Sequence, residues 1–129
     1  MIVDSSALVA LATDEPSMPT VFDALISASR ISVPATTWVE TSLVLAARAR
    51  GALDDFLDEF TERFGAEVVS FTAEHAREAR AAWRAFGRGN HPAGLNYGDC
   101  LVYAVAKVAK EPLLYVGEDF RRTDIESVL

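Results

Sequence analysis

Short apolar runs alternate along this chain with longer stretches of helical periodicity, and this alternation limits its possible folds more than any other feature. Four of the runs predict short buried strands, because they are β-branched or otherwise apolar and are bounded by polar or turn residues. These runs are Met1–Asp4, Ile31–Pro34, Glu67–Phe71 and Leu113–Val116. Strands that alternate with helices form parallel sheets covered on both faces. The sequence therefore predicts an α/β fold, in which ligands bind outside the carboxyl ends of the strands.

Four helices are predicted from apolar periodicity and from capping residues. The predicted spans are Ala35–Arg50 with Gly51 just past its end, Leu53–Phe64, Thr72–Phe86 and Tyr97–Lys110 followed by Pro112. Thr36 or Thr37 lies near the start of the first span. In the second, Glu59 and Arg63 are placed to pair at i, i+4. The third has Thr72 as its N-cap and an apolar stripe of Ala76, Ala79, Trp83 and Phe86.

The size and composition of the chain are those of a globular protein. Its 129 residues suit a single domain over residues 1–129, and 50% of them are hydrophobic. The single cysteine, Cys100, lies in an apolar run and is expected in the core. No apolar stretch reaches the roughly 18 residues of a membrane span, and the amino terminus lacks the basic start of a secretory signal. We therefore expect a cytoplasmic protein with no membrane partner.

The chain is acidic, with 19 Asp and Glu residues against 12 Lys and Arg residues and a net charge of −7. This balance argues against a protein that binds nucleic acid through bulk charge attraction. Any polyanionic substrate must be held by a local basic patch, by a bound metal ion, or by both.

Three acidic residues lie in segments that are otherwise free of charge. Asp4 is the only charged residue among the 13 from Met1 to Thr13. Glu40 is the only one among the 17 residues from 31 to 47, and Asp99 is the only one among the 12 from 95 to 106. Burying a lone carboxylate costs several kcal/mol unless a partner or a metal ion compensates its charge.

Helix capping is an alternative explanation for Asp4, which ends a strand, and for Asp99, which begins a helical run. Capping does not explain Glu40, which lies inside a predicted helix with no basic residue on that helix before Arg48. Its neighbours on the same predicted face, which should be packed, are Thr36, Leu43, Val44 and Ala47. A shared cation explains all three acids at once.

A fourth acid, Asp119, follows the last predicted strand as Asp4 follows the first. If those two strands are neighbours, both acids lie at the ligand-binding edge of the sheet. Glu118 is adjacent and would add a fifth carboxylate, although it can also point away. We call Asp4, Glu40, Asp99 and Asp119 the acidic quartet.

The quartet offers only oxygen donors, which are the ligands of hard cations. It therefore predicts a Mg²⁺ site, with Mn²⁺ as the other suitable ion. Zinc is not expected, because His75 and His91 lack the spacing of a zinc site.

The motifs around the quartet occur in a known family. They are Met1–Val9, Trp38–Thr41, His91–Cys100, Gly117–Phe120 and Thr123–Ile125. In this order and at this spacing, the whole chain resembles the PIN-domain nucleases, and within them the VapC-type toxins of bacterial toxin–antitoxin systems.

The resemblance implies a three-layer PIN-like fold with a short parallel sheet in the order 3-2-1-4, flanked by helices. It also implies a Mg²⁺-dependent endoribonuclease in which the quartet is catalytic and binds the metal. Such enzymes hydrolyse RNA, often a tRNA or an rRNA, to a 5′-phosphate and a 3′-hydroxyl. The implied partners are an RNA substrate, a cognate VapB-type antitoxin that inhibits the enzyme, and a second copy of the chain. Glu118 replaces the Asn or Asp that is frequent before Asp119 in this family, which leaves the binding of a second metal open.

Five residues are candidate substrate contacts, namely Ser5, Arg84, Arg88, His91 and Asn96. Ser5 or Ser6 would hold a water or a metal ligand, or would cap the first helix. Arg84 and Arg88 continue a stripe begun by Arg77 and Arg80 on one predicted helical face, which would meet either RNA phosphate or solvent. For His91 a role as general base and a place in a simple turn are both open.

Three other functions were weighed against ribonuclease activity. A phosphotransfer receiver domain would need a paired acid near the first strand and a lysine after a late one, whereas Lys107 and Lys110 lie in a predicted helix. A degenerate PIN domain that serves as a binding module would lack part of the quartet, and all four acids are present. A nuclease directed at DNA stays open.

Overall fold

The computed structural model describes residues 1–49, 53 and 55–129 of the chain. The strands are β1 (Ile2–Val3), β2 (Ser32–Pro34), β3 (Glu67–Val69) and β4 (Leu113–Leu114). The helices are α1 (Ser5–Ala12), α2 (Met18–Ser27), α3 (Ala35–Ala49), α4 (Phe56–Phe64), α5 (Ala73–Phe86) and α6 (Tyr97–Ala109). Among the helices of the described residues, none is long and apolar enough to cross a membrane.

The described strands form a four-stranded parallel sheet in the order β3-β2-β1-β4. Ile2 pairs with Ser32 on one side and with Leu113 on the other, while Val33 pairs with Val68. The predicted α/β fold and the strand order 3-2-1-4 are confirmed. The carboxyl ends of β1 and β4 are therefore neighbours, as the argument about Asp4 and Asp119 required.

Alternating side chains of the central strands build a core on each face of the sheet. Ile2 and Leu113 pack in one hydrophobic cluster with α5 and α6, which contribute residues such as Ala82 and Val102. Val3 and Leu114 pack in the other cluster. In that second cluster α1, α2 and α4 contribute Leu8, Leu25 and Phe60. Successive residues of a strand point to opposite faces, so these short strands suffice to separate two helical layers.

The strands and the first helices differ in detail from the prediction. Each strand is shorter than its apolar run, and β1 ends before Asp4 because that residue is already the N-cap of α1. The expectation that Ser5 or Ser6 caps this helix is therefore wrong. The predicted spans did not include α1 and α2. The amphipathic pattern of α1 is weak because this helix buries four consecutive residues, Ala7–Ala10.

Two predicted helical contacts are replaced by others. On α5 the buried residues are Ala79 and Ala82, while Ala76 and Trp83 are exposed, so the apolar stripe runs along a different line. The guanidinium of Arg63 lies 5.7 Å from the ring centroids of Phe22 and Phe64, instead of pairing with Glu59.

Other helix predictions are confirmed. Thr72 caps α5 and accepts a hydrogen bond from the backbone N–H of His75. Lys110, in the left-handed region at φ 54°, ends α6 before Pro112. Cys100 is buried in the core, as expected. The predicted end of α3 at Arg50 and Gly51 lies outside the described residues.

A polar contact fastens the carboxyl-terminal segment to α6. The carboxylate of Asp124 accepts hydrogen bonds from the hydroxyl of Tyr103 and, at 2.6 Å, from the ammonium of Lys107. The lysine and the tyrosine hold the pKa of Asp124 below its ordinary value of 3.8. Because the folded-state pKa is lowered, this contact stabilises the fold above the ordinary pKa and is lost as the pH falls through the lowered value.

We expect Asp124→Asn to lower the free energy of unfolding at pH 7 by about 1 kcal/mol or less, because exposed ion pairs contribute little. The difference from the wild type should shrink as the pH falls below the ordinary pKa of 3.8 and disappear once the pH is below the lowered pKa of the folded state. Urea denaturation at several pH values measures it. Glu67→Gln is the matched control, because it breaks an exposed pair with Arg30 that involves no tyrosine. A deficit of equal size at pH 3 and pH 7 would contradict the assignment.

Candidate active site

Asp4 lies at the carboxyl end of β1, where the chain turns into α1. Its Oδ2 accepts hydrogen bonds from the backbone N–H of Ser6 at 2.9 Å and from the Ser6 hydroxyl. The same hydroxyl oxygen accepts a hydrogen bond of 3.0 Å from the backbone N–H of Val116, in the segment after β4. Ser6 thus connects Asp4 to the segment that leads to Asp119. Asp4 itself is only 5% exposed.

Glu40 and Asp99 meet where α3 packs against the start of α6. A Cβ atom placed on Gly98 would lie 2.7 Å from Oε1 of Glu40, so the carboxylate rests directly against the backbone of α6. The side chain of Ser5 lies near Glu40 and offsets part of the rise in its pKa. The face of α3 that carries Glu40 is not packed as predicted, because Leu43 and Ala47 are exposed.

The capping explanation holds for both aspartates, alongside any further role. Asp99 accepts a hydrogen bond of 2.8 Å from the backbone N–H of Asn96 through Oδ2, and Asn96 caps α6 through its own side chain. Asp4 caps α1 through Oδ2 in the same way. Since a carboxylate has two oxygens and about four lone-pair sites, these bonds do not exhaust either residue as a ligand.

Three carboxylates of the quartet have pKa values that are raised by burial and by the charges of their neighbours. Burial raises the pKa of Asp4, and the charge of Glu40 adds to the effect. Burial and the charge of Asp99 raise the pKa of Glu40. Burial, together with the charges of Asp4 and Asp119, raises the pKa of Asp99 to about 6. The four side chains are therefore close enough to repel one another.

Cationic side chains do little to offset this repulsion. No salt bridge found in residues 1–49, 53 and 55–129 includes a member of the quartet. Arg88 lowers the pKa of Asp99, but less than burial and the neighbouring carboxylates raise it. Partly buried carboxylates without an ion-pair partner are the arrangement in which a bound cation is most stabilising.

Asp119 and Glu118 lie at the outer side of the site. Asp119 is exposed in the turn after β4, and its charge acts on Asp99. Glu118 pairs with Arg121 at 3.3 Å. Glu118 is not among the charges that raise the pKa values of Asp4, Glu40 or Asp99.

The quartet fits a cation that keeps much of its own water. Within the described part of the chain, no group of three His, Cys, Asp or Glu side chains is gathered closely enough to form a ready metal cage. Mg²⁺ does not need one, because it is usually bound through one or two carboxylates, with water and phosphate oxygens completing its octahedron. The all-oxygen donor set is therefore compatible with a hard divalent cation that is held by few protein ligands.

The candidate substrate contacts lie in different surroundings. Ser5 has a lowering effect on the pKa of Glu40, and the charge of Arg88 has a lowering effect on the pKa of Asp99. Arg88 lies beyond the end of α5. The prediction that it continues an arginine stripe on one helical face is therefore wrong. Arg84 is exposed on α5.

His91 and Asn96 have structural contacts. The Nδ1 atom of His91 accepts a hydrogen bond of 3.1 Å from the backbone N–H of Ala93, and its ring packs edge-on against Phe86. The Oδ1 atom of Asn96 is used in capping α6.

Sequence reasoning missed two residues that position the quartet. Ser6 was considered as a ligand or a cap, yet it orients Asp4 and joins it to Val116. Gly98 was seen as part of a motif, yet it makes room for Glu40. A glycine within a helix costs about 1 kcal/mol relative to alanine, and that cost was the available signal of a close approach.

We expect Gly98→Ala to lower the free energy of unfolding by less than about 1 kcal/mol, because the new methyl group displaces the flexible end of the Glu40 side chain. In a Glu40→Ala background the same substitution should stabilise the protein by up to about 1 kcal/mol, because alanine favours the helix. Urea denaturation of the four proteins measures the coupling between the two sites. An equal effect of Gly98→Ala in both backgrounds would show that the two residues do not touch.

Comparison with known proteins identifies the family. The PIN domain family matches residues 1–126. The chain is 44% identical to ribonuclease VapC30 of Mycobacterium tuberculosis, with 99% of this chain and 98% of that protein covered. It is 41% identical to a ribonuclease VapC of Mycolicibacterium smegmatis, with 99% of each protein covered.

Solved structures share the fold. The crystal structure of Mycobacterium tuberculosis VapC20, described as a sarcin–ricin loop cleaving toxin, matches with a TM-score of 0.78 and 16% identity over 96% of this chain and 95% of that one. VapBC2 from Rickettsia felis, bound to a promoter DNA fragment, matches with a TM-score of 0.76 and 15% identity over 98% and 94% of the two chains. With the full-length sequence relatives and the observed sheet order, these findings show that the chain belongs to the PIN-domain family, among the VapC ribonucleases.

Proposed function

We propose that this protein is a metal-dependent endoribonuclease, the toxin of a toxin–antitoxin pair, acting as a single domain over residues 1–129. The observation that carries the proposal is the partly buried quartet, whose members repel one another and form no salt bridge among the described residues. Relatives that are 41–44% identical over nearly their whole length are named ribonucleases.

The quartet Asp4, Glu40, Asp99 and Asp119 would hold the metal, with Mg²⁺ as the proposed ion and Mn²⁺ as a substitute. Such an ion, when bound, activates water and offsets the charge that develops on a scissile phosphate. The protein's own contribution is positioning. Ser6 orients Asp4, and Asn96 orients Asp99 through hydrogen bonds to their Oδ2 atoms. Gly98 lets Glu40 approach, and the surrounding apolar segments keep bulk water from Asp4.

The RNA is held locally, because the net charge of −7 repels it at longer range. We propose Arg88 as a phosphate contact, since its charge lowers the pKa of Asp99. Arg84, which is exposed on α5, is proposed as a more distant contact. Ser5 lies beside Glu40 and would orient a water or a phosphate oxygen. For Asn96 the amide nitrogen is the group proposed to contact substrate, and for His91 it is Nε2, since Nδ1 is engaged.

The proposed partners are those of the family. We propose an RNA substrate of the tRNA or rRNA class, a VapB-type antitoxin as inhibitor, and a cytoplasmic location. Toxin–antitoxin complexes from Klebsiella pneumoniae and Rickettsia felis share the fold of this chain. The bound antitoxin would act by covering the quartet or by displacing its metal.

We expect the purified protein, freed of antitoxin, to cut RNA into discrete fragments with Mg²⁺ and to lose this activity with EDTA. Asp4→Asn and Asp99→Asn should each lower the cleavage rate about a hundredfold or more, because the amide keeps the helix cap but removes a metal-binding charge. Glu126→Gln, at an exposed acid outside the quartet, is the matched control and should leave the rate unchanged.

The outcomes of this experiment separate the alternatives. Full activity of Asp99→Asn would refute the metal site. Cleavage of DNA but not of RNA would identify a DNA-directed nuclease. Binding of RNA without cleavage by the folded, Mg²⁺-loaded protein would identify a binding module.

We also propose a homodimer formed through the exposed apolar surface between α3 and α6. Val39, Leu43 and Tyr97 line a groove of about 640 Å³ there, which also reaches Glu40 and Gly98, and Leu43 is 67% exposed. The apolar residues of α2 and α4 are a weaker candidate for this surface, because Leu25 and Phe60 are buried in the core.

We expect Leu43→Glu to convert the dimer into a folded monomer, because it places a charge in the apolar contact. The oligomeric mass from light scattering and the helical circular dichroism signal test this expectation. Ile26→Glu changes a side chain that is 61% exposed on α2 and should leave the dimer intact. A Leu43→Glu protein that stays dimeric would exclude this surface.

A further inference from the structure

A small cavity lies between α1 and α3, next to the quartet but separate from the groove described above. Ser5, Ser6, Val116 and Arg48 line it, and Glu15 closes one side. Its volume is about 230 Å³. This is smaller than the roughly 300 Å³ at which pockets for drug-sized ligands begin, so the cavity suits a single small group and not a nucleoside.

The two serines connect this cavity directly to the quartet. The Ser6 hydroxyl is hydrogen-bonded to Asp4, and the Ser5 side chain lies close enough to Glu40 to offset part of the rise in its pKa. A group bound in the cavity is therefore one side chain away from two of the carboxylates. In a nucleic-acid chain, the nearest other charged group to a scissile phosphate is the next phosphate along the backbone.

Arg48 provides the positive charge of the cavity. It lies in the last turn of α3, and its Nη1 is 3.1 Å from Oε1 of Glu15. The pair is on the surface, where the Arg48 side chain is 55% exposed. An exposed pair of this kind contributes less than about 1 kcal/mol, so it orients the guanidinium without occupying it permanently. The guanidinium has five N–H donors, and the contact with Glu15 engages only one nitrogen.

We propose that Arg48 binds the RNA phosphate adjacent to the scissile one, and that Glu15 holds its guanidinium in position before the RNA arrives. The inference rests on the proposed ribonuclease function. Guanidinium groups bind phosphate through paired, charge-assisted hydrogen bonds. Arg88 acts on Asp99, whereas Arg48 shares a cavity with Ser6, which is hydrogen-bonded to Asp4, so the two arginines lie near different members of the quartet. The RNA backbone would cross the quartet between them.

The test compares Arg48→Gln with Arg30→Gln in the complete, Mg²⁺-loaded protein, using a short RNA that the wild type cleaves. Arg30 is the matched control because it forms an exposed pair of the same kind with Glu67, at 2.9 Å, outside this cavity. Cleavage kinetics are measured at several NaCl concentrations. A phosphate contact to single-stranded RNA contributes about 0.7 to the slope of log affinity against log salt.

We expect Arg48→Gln to raise KM about tenfold, as the loss of one charge-assisted hydrogen bond implies. The kcat should stay within about twofold, because Arg48 does not touch the reacting atoms, and the salt slope of kcat/KM should become shallower by about 0.7. Arg48→Lys should restore the slope, because it restores the charge. Arg30→Gln should behave as the wild type in all three quantities.

Other outcomes overturn the inference. A KM and a salt slope equal to those of Arg30→Gln would leave the ribonuclease function intact and refute the role of Arg48. A fall in kcat with unchanged KM would refute phosphate binding as well. Normal cleavage with weaker inhibition by the co-expressed antitoxin would assign Arg48 to a protein contact instead. If the wild type cleaves no RNA, the proposed function fails, and this inference fails with it.

Discussion

The hydroxyl of Ser6 is the polar link on which the site depends. It donates to Asp4 and accepts from the backbone of Val116, 110 positions further along the chain. The paired parts of β1 and β4 are only two residues each, and the ladder reaches the site with a backbone hydrogen bond of 2.9 Å from the Asp4 N–H to the Leu114 carbonyl. A side-chain bond beyond the ladder therefore keeps the two strand ends together, and the turn that carries Asp119 starts from a defined place.

Folding gathers carboxylates against their mutual repulsion, and other parts of the molecule must stabilise that arrangement. Burial on both faces of the sheet provides the favourable free energy, while the quartet opposes it. Any cation that binds only the folded state adds stability by mass action. A bound cation also explains how an acidic protein can bind a polyanionic substrate. Attraction has to be local, through a metal ion and through arginines such as Arg88 and Arg48, because the overall field is repulsive.

The sequence predicted the architecture well where the signal was local. Apolar runs located all four strands of the described sheet, and a capping residue located the start of α5. The prediction from sequence failed where tertiary packing determines which helix residues are buried. Trp83 has the right spacing for a buried stripe but is exposed, because α5 packs along the line of Ala79 and Ala82. Leu43 is likewise exposed on α3.

The sequence alone singled out three of the proposed site residues, because a charge isolated in an apolar segment is visible without any fold. Asp4, Glu40 and Asp99 were distinguished in this way from the acids on the solvated face of α4. Only the tertiary structure decided what surrounds them. The approach of Gly98 to Glu40 and the cavity shared by Ser5 and Arg48 join segments that are far apart in the chain. Periodicity and propensity describe neighbours along the chain, whereas these contacts arise only when the helices pack around the sheet.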